Sequence, residues 1–87
     1  ENRQLGKRLQ KRGAEVLLVS DREAVRGSVE LAEHAKVWTE PAAGCLLPAA
    51  RRVVERVGDG ARLGLVVCGG NATTADMRAW TDRFEVR

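Results

Sequence analysis

The sequence predicts an α/β fold: a small, mainly parallel sheet with flanking helices, cut from a larger domain. Three observations predict it. First, two compact runs of β-branched residues and leucine, residues 16–19 and 63–67, alternate with helical patterns. That alternation implies βαβ units and parallel strands. Second, aromatic residues make up only 3% of the chain (Trp38, Trp80 and Phe84), so the core must be built from Val, Leu and Ala. An 87-residue chain is one small domain at most, and a domain of that size buries only about 60% of its unfolded surface. Third, two buried strands and one short one leave open sheet edges, which natural proteins avoid. The whole of residues 1–87 is therefore read as a single segment, with a polar basic helix over 1–13 and βα units over 14–87.

Residues 1–12 read as a polar helix, with Leu5 and Leu9 one turn apart on one side and Gly13 ending it. The run 16–19 reads as a buried strand. Ser20-Asp21-Arg22-Glu23 follows as a capping box, in which the serine hydroxyl accepts from the third helical amide and Glu23 reaches back. Val25, Val29 and Ala32 recur at helical spacing and predict a helix over 21–35. Residues 36–39 form a short extended stretch, interrupted by Glu40-Pro41, because a residue before proline is pushed out of the helical region. Residues 42–57 predict a second amphipathic helix with Leu46, Ala50, Val53 and Val57 as its buried stripe. Pro48 either kinks that helix or sits in the first turn of a shorter one. Gly58-Asp59-Gly60 is a turn, 63–67 a second buried strand, and Cys68-Gly69-Gly70-Asn71 the loop that ends it. Thr73 with Asp76 caps a last helix, on which Met77, Trp80 and Phe84 share a core face.

The net charge of +3 is mild, and five of the basic residues fall among the first twelve positions. The rest is near neutral, and no aromatic platform for bases is present, so a nucleic-acid partner is not expected. Two cysteines make no disulfide framework. No apolar run approaches the roughly 20 residues needed to span a bilayer, and the start lacks the apolar stretch of a signal peptide. A reducing, cytoplasmic setting with no membrane partner is expected.

Two segments carry the chemistry: Glu40-Pro41-Ala42-Ala43-Gly44 and Val66-Val67-Cys68-Gly69-Gly70-Asn71. Each is expected at the C-terminal end of a strand just before a helix, the edge where open α/β sheets bind ligands. Glycines there let backbone approach a ligand, and a helix start offers free amides. A lone Gly-Gly-Asn loop is also what a tight strand-to-helix turn looks like without any ligand. A free cysteine such as Cys45 is plain packing, and Cys68 alone would be read the same way. Glu40 also suits the start of the following helix. His34 has no catalytic partner in sequence.

In this order and spacing, over about residues 14–84, the segments resemble the end of the serine/threonine dehydratases, pyridoxal-phosphate enzymes of the tryptophan-synthase-β type. The resemblance implies that Cys68 faces the pyridine nitrogen of the cofactor. Gly69, Gly70 and Asn71 would form the loop beside the ring, with Glu40 at the cofactor edge and Ala42, Ala43 and Gly44 packing nearby. A thiol gives that nitrogen at most a hydrogen bond, where an aspartate would protonate it. The weaker electron sink favours prompt β-elimination over transamination.

The resemblance implies an ammonia-lyase that converts L-serine or L-threonine to a 2-oxo acid and ammonia, commonly as a homodimer. The catalytic lysine that holds the cofactor, the loop for the substrate carboxylate and the glycine-rich phosphate loop are not recognisable here. The three lysines, Lys7, Lys11 and Lys36, lie in other settings. No catalytic or metal-ligating residue is expected in this segment, which would depend on the remainder of the enzyme chain. A serine racemase-like relative is the nearest rival. A stand-alone, non-catalytic α/β module using the Gly69-Gly70 loop for a phosphorylated ligand is the rival from another class.

Overall fold

The computed structural model describes residues 2–86. Five α-helices follow one another among them: α1 (Asn2–Lys11), α2 (Asp21–Glu30), α3 (Pro41–Gly44), α4 (Leu46–Val57) and α5 (Thr74–Arg83). A π-helical turn, Leu31–Ala35, extends α2.

Helix ends follow local chemistry closely. Both capping boxes form. The Glu23 amide donates to Ser20 Oγ at 3.1 Å while the Ser20 amide donates to the Glu23 carboxylate at 3.1 Å. Thr73 and Asp76 repeat the exchange at 3.0 and 3.1 Å at the start of α5. These reciprocal bonds satisfy amides that the helix itself cannot. Gly13, at φ +89°, closes α1. Its N–H donates to the Gln10 carbonyl and the next N–H to that of Leu9, the paired bonds of a Schellman ending. Lys36 takes the left-handed conformation at the end of the π turn. Pro48 sits in the first turn of α4, because the predicted 42–57 helix is broken at Cys45 into α3 and α4. There a proline forfeits no helical hydrogen bond.

The core gathers on α2. Val25 and Ser28 are fully buried, with Ala24, Gly27 and Leu31 beside them. Ala43 and Gly44 of α3 lie across this face, and Met77 and Val86 close it from the α5 side. The crossing of α2 and α3 is unusually close. A methyl group added at Gly27 would stand 1.9 Å from the Gly44 carbonyl oxygen, and one at Gly44 would stand 2.1 Å from that of Ala24. Neither position has room for any side chain.

The expected parallel sheet does not form. The described residues are helical or irregular, with no strand ladder. The runs read as strands are irregular, and no backbone hydrogen bond joins 16–19 to 63–67; beyond their ends, the Glu40 amide donates to the Gly69 carbonyl at 2.9 Å. A ladder needs a row of such bonds along two neighbouring segments. Residues 16–19 meet α4 and Gly6 instead of a second strand, with the Arg52 guanidinium donating to the Leu18 carbonyl, and much of the apolar surface of both runs stays in solvent: Leu18 is 85% exposed and Val66 84%. Residues 16–19 and 63–67, expected as buried strands, are neither: they form no ladder, and most of their residues are exposed. The βα units expected over 14–87 are therefore helices joined by irregular segments. The chain spans 38 × 35 × 21 Å, with a radius of gyration of 13.9 Å. A compact chain of this length would have about 12 Å, so the molecule is a looser body than its helices alone would require.

Candidate functional site: the Glu40 turn and the residue 68–71 loop

Both singled-out motifs meet in space, and their meeting point is Glu40 on Gly69. Residues 36–40 leave the π turn and run to α3. Pro41 fixes the first position of α3 and keeps Glu40 extended (φ −76°, ψ 163°). The carbonyl of Glu40 accepts from the amides of Ala43 and Gly44 at 3.0 and 3.1 Å. Its side chain caps nothing and turns instead towards the second motif. There Gly69 has φ +75°, and a methyl group built on it would stand 2.8 Å from Glu40 Cγ and 2.9 Å from Oε1. The Glu40 side chain thus occupies the space that a residue-69 side chain would need. The reading of Glu40 as a helix cap by its carboxylate does not hold; the residue begins α3 through its backbone alone.

The other predicted site residues fall into two groups. Cys68 is exposed, with a free thiol, and adjoins the Glu40–Gly69 contact through the chain. Gly70 and Asn71 form the exposed turn that follows, with Gly70 lying against the Trp38 carbonyl. Ala42 is exposed on α3. Gly44 belongs elsewhere: it is buried, and its missing side chain makes room for α2 rather than for a ligand. Sequence cannot tell these two uses of a glycine apart. Trp38 was not singled out, yet its carbonyl lies beside the loop. Its position two residues before Glu40 was the only available signal.

The sheet-edge argument for ligand binding lapses with the sheet. So does the α/β module as a rival, since its loop was to sit on that edge. An apolar cleft of about 280 Å³ lies between α2 and α5, with Val29, Trp38, Met77 and Val86 among its walls. Neither Glu40 nor Cys68 lines it. The shifted carboxylates also lie away from the loop. Hydrogen bonding from the Arg56 guanidinium holds the Glu15 carboxyl below the usual range. The Ser20 amide, then the Ser20 hydroxyl and Arg52, do the same for Glu23. These pairs tie α4 to the start of α2 and to the segment before it.

The residues present fit one wall of a pyridoxal-phosphate site. A thiol suits an uncharged neighbour for a pyridine nitrogen, and Gly70 adds no side chain to the turn, while the space beside Gly69 is taken by Glu40. Nothing at the loop would hold the cofactor covalently. Lys36 Nζ is engaged with the Glu33 carbonyl at 2.6 Å, and Lys7 and Lys11 lie on α1. Among the described residues no cluster of His, Cys, Asp or Glu could hold a metal ion, and no helix is long and apolar enough to cross a membrane. Comparison with protein-family models, with curated proteins and with solved structures found no match to this chain.

Proposed function

We propose that this chain is the C-terminal part of a cytoplasmic, pyridoxal-phosphate-dependent ammonia-lyase acting on L-serine or L-threonine, and that it is inactive by itself. The observation that supports this reading is the contact of Glu40 with Gly69 beside the exposed Cys68. It brings together the two motifs on which the resemblance to serine/threonine dehydratases rests.

The cofactor, when bound, would withdraw electrons from the substrate Cα so that the Cα proton and the β-hydroxyl can leave. This chain's own part is narrower. Cys68 would meet the ring nitrogen as a hydrogen-bond donor and leave it unprotonated. By remaining an uncharged neighbour, Cys68 would keep the cofactor a weaker electron sink, which would favour β-elimination over transamination. The turn at residues 69–71 would let backbone lie close to the ring and exclude water from that edge. The lysine that holds the cofactor, and the groups that move the proton, would come from the remainder of the enzyme and a substrate amino acid would be recognised there.

The test is release of 2-oxo acid and ammonia from L-serine and L-threonine with added pyridoxal phosphate. It compares the 87-residue chain with the natural gene product that contains it. Turnover by the gene product and none by the chain is the expected result. Absence of turnover and of cofactor binding in the gene product would overturn the assignment.

A further inference from the structure

Three features of the second motif have one explanation. Gly69 is held at positive φ, the Glu40 side chain fills the space beside its Cα, and the Glu40 amide donates to its carbonyl at 2.9 Å. This is the only backbone hydrogen bond joining the irregular segments 36–40 and 61–73 among the described residues. Glu40 is in turn fixed from behind, because its carbonyl accepts two amides of α3 and Pro41 locks the next residue. Gly44 of α3 is wedged against α2. A rigid path therefore runs from α2 through α3 to Glu40 and ends on Gly69. The loop itself has no comparable anchor: residues 61–68 are exposed throughout.

We infer that Glu40 is a positioning residue that latches the residue 68–71 turn, so that Cys68 is presented at a fixed place relative to α3. This deepens the proposed function and rests on it for the purpose of the latch, though not for its existence. The latch is made by bulk and by the backbone bond, and not by the carboxylate's charge. Glutamine at position 40 keeps both; alanine keeps only the bond and removes what holds its geometry.

Amide hydrogen exchange, read residue by residue by NMR on the 87-residue chain, tests it without any cofactor. Exchange at the residue-40 amide should quicken about tenfold in Glu40→Ala and stay unchanged in Glu40→Gln. The capped amides of Glu23 and Asp76 should keep their wild-type rates in both. Gly69→Ala forces a methyl group into the Glu40 side chain and should also release the residue-40 amide. Combined with Glu40→Ala it should add less than its single effect, because the space is then vacant. Wild-type exchange at residue 40 in Glu40→Ala, or equal quickening in Glu40→Gln, would sink the latch. A second arm measures pyridoxal-phosphate affinity of the natural gene product. About tenfold weaker binding in Glu40→Ala, with rescue by Glu40→Gln, supports the positioning role. Equal affinity in all three, with the exchange result intact, overturns that role and leaves a purely structural latch. A gene product that binds no cofactor at all overturns the lyase reading alone.

Discussion

Two parts of the molecule have opposite fates, and the more apolar of them is the one left in solvent. On α2 and α3, Val25 is wholly buried and Ala43 nearly so; along residues 61–68 every residue is exposed, and Val66 retains 84% of its surface. The difference is not hydrophobicity. At the α2–α3 crossing, glycines 27 and 44 lack the side chains that would hold the two backbones apart. The helices satisfy their own backbone groups as well, so they can pack as finished units. The 61–68 run makes no backbone hydrogen bond to another segment and is exposed at every residue. Apolar pattern supplies a driving force, but burial also needs a partner surface of matching shape.

The sharpest way to break this comparison is to restore a side chain at the crossing. Gly44→Val would place its Cβ 2.1 Å from the Ala24 carbonyl oxygen, so α3 must move away from α2. Overpacking of this kind costs about 3 kcal/mol, and a thin core has little reserve. Urea unfolding followed by circular dichroism should show a folded baseline lost or sharply shortened. Leu31→Ala, which leaves a void at the buried end of α2, should cost about 2 kcal/mol by the same measurement. Ser20→Ala and Thr73→Ala each remove one half of a capping box and should cost about 1 kcal/mol.

What the sequence disclosed follows the same division. The helix over 21–35, both capping boxes and the Gly13 ending were legible because each is decided within a few residues. The sheet was not. Residues 16–19 and 63–67 carry the composition of buried strands, but a strand is completed by a partner far away in sequence, and composition is silent about that partner. Glu40 and Gly69 were singled out from separate motifs, and they touch. Gly44 was grouped with them because a glycine that admits a helix and a glycine that admits a ligand look alike in sequence. Pro48 marked a real break in the 42–57 helix, which falls three residues earlier, at Cys45.

Acid should loosen the α2–α4 side before it affects the crossing. Glu15 and Glu23 both titrate below the ordinary glutamate range in the folded chain, held there by Arg56 and by Ser20 with Arg52 respectively. A carboxyl whose folded value is depressed favours the folded state while ionised. Its contribution is complete above the unfolded value and disappears as pH falls through the folded one. Stability should therefore be flat near neutrality and decline with acid below the usual glutamate range. Glu15→Gln with Glu23→Gln should flatten that decline, and urea midpoints across a pH series would read it. Both pairs are solvent-exposed, so added salt should also shrink the difference between wild type and the double variant.

The smallest effect is expected where the sequence promised the largest. A strand-core valine replaced by lysine would ordinarily bury an unpaired charge and unfold a domain of this size. Val66 is in solvent in the 87-residue chain, so Val66→Lys should change stability by less than about 0.5 kcal/mol. Val25→Lys, at a fully buried position of the same residue type, serves as the opposite pole and should abolish cooperative folding. Equal losses in the two variants would mean that the 61–68 run is packed against something in solution, and the contrast between the two regions would disappear. Unequal losses would show that the 61–68 run contributes little to the stability of the fold.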